Sequence, residues 1–157
     1  MQRRALLAGI GSTATITAFA GCLGDDDGGD GGDGGQTGSA TPSIRTVNQE
    51  ALDRQKESGR TIASRADVTV DGDTVEIAGQ LEGATPCHEA VVSETTLEDG
   101  TLTVAVELEE TDDGMCTQQI ARIEYEATIE IESGDLSSVV VVHTDRVGEE
   151  TVVDQAV

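Results

Sequence analysis

The 157-residue chain has almost no aromatic side chains: no Trp, one Phe (Phe19) and one Tyr (Tyr125). A core built from it is therefore aliphatic and small. Positive charge is nearly as scarce. Nine Lys and Arg stand against 31 Asp and Glu, a formal net charge of −22, and Lys56 is the one lysine. Without a basic patch to meet phosphates, or aromatics to stack bases, nucleic-acid binding is excluded, and anionic lipid heads would repel the chain. No apolar run is long enough for a membrane-spanning helix, which needs ~20 residues. Motifs of assembled catalysis are missing too: there is no G-x-S-x-G, S-x-x-K or H-E-x-x-H.

What is present begins with MQRRALLAGIGSTATITAFAGC. Arg3 and Arg4 form a basic start, Ala5 to Ala20 a weakly apolar run, and Ala20 and Gly21 precede Cys22. This is the layout of an export signal over residues 1–21, and the paired arginines point to the twin-arginine route. The stretch AFAGC resembles a lipobox, the lipidation site of bacterial and archaeal lipoproteins. That resemblance implies that Cys22 becomes the first mature residue and carries a lipid on its thiol. The alternative is cleavage near Ala20, with Cys22 left as a free thiol. The acidic glycine-rich run that follows favours the lipid, because it makes sense as a tether.

The tether, GDDDGGDGGDGGQTGSATPS at 24–43, falls within a linker segment expected over 22–45. Such a chain is a flexible coil with a root-mean-square reach of roughly 25 Å for twenty residues. Its Asp-Gly repetition resembles calcium-binding nonapeptide repeats, but it lacks the apolar residue each such repeat stacks into a core. A single domain over 46–157 follows. Loss of residues 1–21 removes two arginines and no acid, which moves −22 to −24 for the mature chain. Acidity of this degree with almost no lysine resembles the proteins of extremely halophilic archaea. In dilute buffer it opposes compactness by self-repulsion.

Thr46 and Gln49 have capping-box spacing and Gly59 stands as a stop, which predicts a short helix over 46–58 with a thin apolar face of Val47, Ala51 and Leu52. From Asp67 the apolar period becomes two. ADVTV-DG-DTVEIAGQL reads as a hairpin in which an Asp71-Gly72 turn sets Val68 opposite Val75 and Ala66 opposite Ile77. AVVSETTLE-DG-TLTVAVELEE is a second hairpin around Asp99-Gly100, with Leu102, Val104, Val106 and Leu108 on one face. QIARIEYEATIEI places Ala121, Ile123, Tyr125, Ala127, Ile129 and Ile131 inward and Arg122, Glu124, Glu126 and Glu130 outward. SSVVVVHT and VGEETVVDQ follow as strands. About six strands at this spacing predict an all-β fold, an antiparallel β-sandwich or barrel-like sheet with a short N-terminal helix.

With Cys22 lipidated, Cys87 and Cys116 remain, an even count in an exported chain, which predicts a disulfide. Pairing Glu98 with Thr101 across the second turn brings Cys87 level with Asp112, four residues from Cys116. Cys87, His88, Cys116 and His143 are ligand types for zinc, but adjacent residues of a strand point to opposite faces and no C-x-x-C spacing occurs. His143 is expected at a strand end on the surface. Asp71, Asp73 and Glu82 mimic three positions of a calcium loop, with Val75 and Glu76 where a ligand and a glycine are required.

TPCHEAVV, CTQQIARIEYEATIEI and VVVVHT together resemble a set of small uncharacterised haloarchaeal exported proteins, over about residues 67–144. Some members carry a cysteine where this chain has Gln119. The resemblance implies a β-rich domain and no known activity. The expectation is a lipoprotein held to the outer face of the membrane through Cys22, without catalytic residues, metal or cofactor. Its domain would bind a cell-surface ligand or protein. The rival readings are a metal- or substrate-handling enzyme using Cys87, His88, Cys116 and His143, and a passive envelope component.

In molar salt the screening length falls from ~10 Å to ~3 Å. The melting temperature should therefore rise as NaCl goes from about 0.1 M to about 3 M, by ~4–8 °C for each kcal/mol of relieved repulsion. Thermal melts followed by circular dichroism test this, and equal melting at the two salt levels would contradict it.

Overall fold

The computed structural model describes residues 36–53, 62–111 and 114–157. The export signal, Cys22 and the tether up to residue 35 lie outside them. Eight strands are present: β1 Ser39–Ala51, β2 Arg65–Asp71, β3 Thr74–Gly83, β4 His88–Glu98, β5 Thr101–Glu110, β6 Ala121–Ser133, β7 Ser138–Thr144 and β8 Glu149–Ala156. They form two four-stranded sheets, ordered β1-β6-β3-β2 and β4-β5-β7-β8. The two faces that carry the apolar residues pack together as a β-sandwich, as the alternation predicts.

Strand β6 organises the first sheet. Its inward residues Ala121, Ile123, Tyr125, Ala127 and Ile129 are buried, and it pairs on both edges, with β1 and with β3. From the other sheet Leu97, Leu102, Val104, Val106, Val139 and Val141 close the core. The expected all-antiparallel order fails at one place. Strand β7 lies parallel to β5, because the chain leaves the second sheet after β5, returns along β6 in the first, and enters β7 from the end where β5 began.

The predicted helix over 46–58 is overturned where it can be seen, since residues 46–51 belong to β1 and residues 54–61 lie outside the described set. Residues 39–45, read as the end of the linker, are the first half of the same strand. The second edge of β6 would leave backbone groups unpaired without it, and that long-range demand overrides a weak local helix preference. β1 has little apolar content to hold it, only Ala40 and Ile44 against the core. The backbone ladder with β6 holds it, and polar contacts on the outer face add to that ladder. Arg45 pairs with Glu126, Asn48 Nδ2 donates to Glu124 at 2.9 Å, and Arg122 Nη1 donates to Glu50 at 3.2 Å. The Thr41 and Ser39 hydroxyls donate to Glu132 and hold its carboxyl below the ordinary carboxylate range. Pro42 is tolerated because β1 is an edge strand.

The first hairpin turns one residue later than expected, which shifts each cross-strand partner by two. Gly72 and Asp73 form the loop, and Val68 faces Ile77 while Val70 faces Val75. Gly72 supplies the positive φ of 60° at the first loop position, the arrangement of a type II′ turn. A slip of two keeps every side chain on its predicted face, and it pairs Val70 with Val75 and Val68 with Ile77 while Ala66 moves opposite Gly79. The second hairpin turns as expected at Asp99 and Gly100, with φ of 49° and 78°, as a type I′ turn requires.

All eight strands run between two poles. Gln36 and Gly38, the Asp99-Gly100 turn and residues 133–138 share one pole: Asp99 N–H donates to Gln36 O and Gly38 N–H to Leu97 O. The opposite pole holds the ends of β1, β3, β5 and β7 and the starts of β2, β4, β6 and β8. The first described residue, Gln36, lies at the first pole, called here the proximal pole, and the opposite one is the distal pole.

Gly79 sits opposite Tyr125, and a Cβ placed on it would lie 2.5 Å from the Tyr125 ring. The tyrosine fills the space the glycine leaves. Gly79→Ala should cost about 1–3 kcal/mol by overpacking, and Tyr125→Phe combined with it should not restore stability, because ring carbons clash as well as the hydroxyl. Urea unfolding at fixed salt measures both.

Candidate functional site

Three regions compete as the working part of the molecule: a buried polar string, the disulfide corner at the distal pole, and the outer face of the second sheet.

The polar string crosses the core. His143 follows Val139 and Val141 on the inward face of β7 and is fully buried. This corrects the expected surface position. Its Nε2 lies 2.6 Å from the Tyr125 hydroxyl and its Nδ1 lies 2.7 Å from Ser64 Oγ. The two rings meet edge to face, with centroids 5.5 Å apart. Burial pushes the imidazole down to about 4, against a smaller upward pull from Asp145, and pushes the Tyr125 phenol above its ordinary value. The ring is therefore neutral, with one donor and one acceptor. The phenol is the stronger donor, so Tyr125 O–H is assigned to Nε2 and Nδ1–H to Ser64. A serine held by a histidine resembles a nucleophile and base. An imidazole of such low basicity accepts a proton poorly, and its second nitrogen faces a phenol rather than a carboxylate. The string satisfies buried polar groups and fixes the tyrosine in place.

Beside it, the alternation of β3 carries Glu82 onto the outer face, yet Glu82 is fully buried. Residues 62–64 and the β7–β8 connection cover it. Its carboxylate accepts from Ile62 N–H at 2.8 Å and from Arg146 Nε at 2.7 Å, and it also pairs with Arg146 Nη2. Asp145 Oδ1 caps the turn by accepting from Val147 and Gly148 N–H. Glu82 thus has a structural place, its carboxyl group held by Ile62 N–H and the Arg146 guanidinium. The calcium-loop pattern does not assemble: Asp71 and Asp73 lie at the proximal turn, and the length of β3, roughly 25 Å, separates them from Glu82.

At the distal pole Cys87 and Cys116 form a disulfide with Cα atoms 6.0 Å apart. Cys87 is level with Thr111 rather than Asp112, through Thr111 N–H to Cys87 O at 3.0 Å, because a bulge at Ser93 shifts the β4–β5 register by one. The bond is worth roughly 3–4 kcal/mol for a separation of 29 residues, on the chain-entropy account. His88 turns Nδ1 toward Thr85 O and Thr85 Oγ1, both at 3.0 Å. The four residues of the zinc reading are not presented together as ligands: the two sulfurs are bonded to each other, and both nitrogens of His143 are engaged inside the core.

The outer faces of both sheets carry carboxylates, and the first also carries Arg45, Arg65 and Arg122. In the first, the central strands β3 and β6 turn out Glu76, Glu124, Glu126 and Glu130. In the second, the central strands β5 and β7 turn out Thr101, Thr103 and Ala105 beside Ser138, Val140 and Val142. These six uncharged residues are half-buried by their neighbours, and Thr101 and Ser138 share a hydroxyl hydrogen bond of 2.9 Å. All eight strands are used within the two sheets, so no described element covers this stripe. Carboxylates surround it: Glu94 and Glu98 on β4, Glu107 next in line on β5 itself and Asp154 on β8. The alternation that buries Val139 and Val141 turns the half-buried Val140 and Val142 outward, and one further step of it puts His143 inward.

No protein-family model, curated protein or solved structure matches this chain.

The string gives the fold a definite acid response. Unfolded His143 titrates near 6.5 and the folded form near 4. Between those values the unfolded chain takes up a proton that the folded chain refuses, so stability falls as pH drops from 6.5 toward 4, by up to about 3 kcal/mol. Urea unfolding of wild type and His143→Gln at pH 7 and about 4.5, in molar salt, should show wild type losing about 2–3 kcal/mol more than the variant. Equal losses would remove His143 from the account.

Proposed function

We propose that this protein is an export-directed lipoprotein of a high-salt cell, anchored to the outer face of the membrane through Cys22, whose β-sandwich works by binding. The observation that carries the binding role is the uncharged stripe of β5 and β7 on a chain of net charge −22. A half-exposed strip of Thr, Ser, Ala and Val on so acidic a chain supports a contact made without charge. The disulfide supports the extracytoplasmic part of the reading, since such bonds persist in oxidising compartments. Arg3, Arg4 and the AFAGC stretch support the anchor. The rise of the domain from one pole supports display: its strands run away from the end where the tether joins.

The test is the intact mass of protein extracted from membranes in high salt without reductant. The expected mass is that of residues 22–157 plus lipid, less two hydrogens for the Cys87–Cys116 bond. Cys22→Ser should release the protein from the membrane fraction to the medium. A lipid-free mass, or an unchanged membrane fraction for Cys22→Ser, would overturn the anchor.

A further inference from the structure

We infer that a cleft at the distal end of the second sheet is a binding site for a primary ammonium group on a short aliphatic stem, with Glu107 as its counter-ion. The inference goes beyond the anchor and the stripe and depends on neither.

It starts from a carboxylate without a donor. Among the described residues four carboxylate side chains are buried or half-buried: Glu82, Glu107, Glu124 and Asp145. Three of them have hydrogen-bond donors. Glu82 is held by Ile62 N–H and Arg146, Glu124 by Asn48 Nδ2, and Asp145 by Val147 and Gly148 N–H. Glu107 alone has neither a hydrogen bond to its carboxylate nor an ion pair among the described residues. Its neighbours across the ladders are Val91 on β4 and Thr144 on β7, and neither is a base. A partly desolvated anion in this state lacks the compensation that the other three have.

Glu107 does not stand on open surface. It lines a cleft of about 260 Å³ together with His88, Leu108, Thr144, Asp145 and Arg146. His88 is the first residue of β4, and Cys87 before it is fixed by the bond to Cys116. Its Nδ1 lies 3.0 Å from Thr85 O, a group that can only accept. The neutral ring therefore carries its hydrogen on Nδ1, which leaves Nε2 as an acceptor with no partner among the described residues. Thr144 adds a hydroxyl and half-buried Leu108 an apolar wall. A larger cavity at the proximal pole, about 420 Å³, offers only the exposed carboxylates of Asp99 and Asp135 and no imidazole or guanidinium.

The acceptors decide the class of ligand. An anion finds no free counter-charge, because the Arg146 guanidinium is already matched by Glu82 through Nε and Nη2. Among the described residues no three His, Cys, Asp or Glu side chains are placed to hold a metal ion. A neutral polyol leaves the charge of Glu107 without a partner. A primary ammonium brings that charge and three N–H donors, one each for Glu107, His88 Nε2 and the Thr144 hydroxyl. The volume lies below the ~300–1,000 Å³ of sites for drug-sized ligands, so the guest is limited to a short stem.

The experiment uses the ¹⁵N-labelled protein isolated from cells grown in molar salt, kept in that salt at pH about 8, where an alkyl amine is charged. The ring nitrogen signals of His88 are followed by NMR as n-propylamine is added. A saturable shift of Nε2 is expected, with a Kd on the order of 1–10 mM for a ligand of so few atoms. Tetramethylammonium has the same charge and no N–H donor, and it should leave the signal in place. Glu107→Gln should weaken propylamine binding at least about tenfold. Glu130→Gln, which removes the same charge from the other sheet, should leave it unchanged. The absence of a saturable shift overturns the site. So does an equal response to tetramethylammonium, or an equal loss in Glu130→Gln, either of which assigns the effect to the overall charge of the chain. Capped lysine, as Nα-acetyl-lysine methylamide, separates two sources of the same group. A response as strong as that to propylamine assigns the cleft to lysine side chains of a protein partner, and a response to propylamine alone assigns it to free amines, with the ammonium site standing in both cases. None of these outcomes depends on Cys22, so failure of the anchor and failure of the site are read separately.

Discussion

The two-residue period of β6 is the constraint on which the rest of the molecule depends. A chain this acidic folds only if its carboxylates can be sorted to one side of each strand. In β6 the sorting holds from Ala121 to Glu130, with every odd position apolar and buried and every even position polar. Paired on both edges, β6 imposes that division on β1 and β3, and β3 imposes it on β2. The core is then aliphatic by necessity. Its single ring, Tyr125, is accommodated by removing a side chain across from it, at Gly79, and by giving its hydroxyl a partner in His143. These are three parts of one arrangement, since a buried phenol needs both room and a hydrogen bond.

Much of this was readable from residues alone, and the failures have physical causes. The strands from β2 to β6 announce themselves largely by alternation, β7 by its valine run, and the Asp99-Gly100 turn by its composition. β1 does not, because SATPSIRTVNQEA has few apolar residues and a proline. It is a strand through its partner β6, not through itself, and that information is non-local. The parallel pairing of β5 with β7 was hidden for a related reason: sequence order cannot tell that β6 sits in the other sheet. The disulfide followed from cysteine count and hairpin register, and the bulge at Ser93 moved it by one position without breaking it. His143 was legible and misplaced. Extending the valine alternation by one step puts it inside, but a titratable residue at a strand end is more readily imagined outside.

The buried polar groups are divided by role. Glu82 and Arg146 hold the β3 end to the β7–β8 connection, with the carboxylate in the interior and the guanidinium partly open to solvent. Removing the arginine would leave a buried anion without its counter-charge, which is far worse than losing an exposed pair such as Arg45–Glu126. The Tyr125–His143–Ser64 string is neutral by contrast, and its neutrality depends on burial. One cluster withstands changes of salt because it is sheltered, and the other responds to acid because it cannot be charged.

The placement of the chain entry also decides how the domain bears load. Strand β1 starts at the proximal pole and runs away from it, alongside β6 over its whole length. Tension applied through the N-terminus, while the opposite end is held, pulls along β1 rather than across it. The hydrogen bonds of the β1–β6 ladder then share the force at the same moment, as lap joints do, instead of parting one after another from an end. Such a load meets the ladder in its most resistant direction, and the strand with the weakest local signature is the one that bears it.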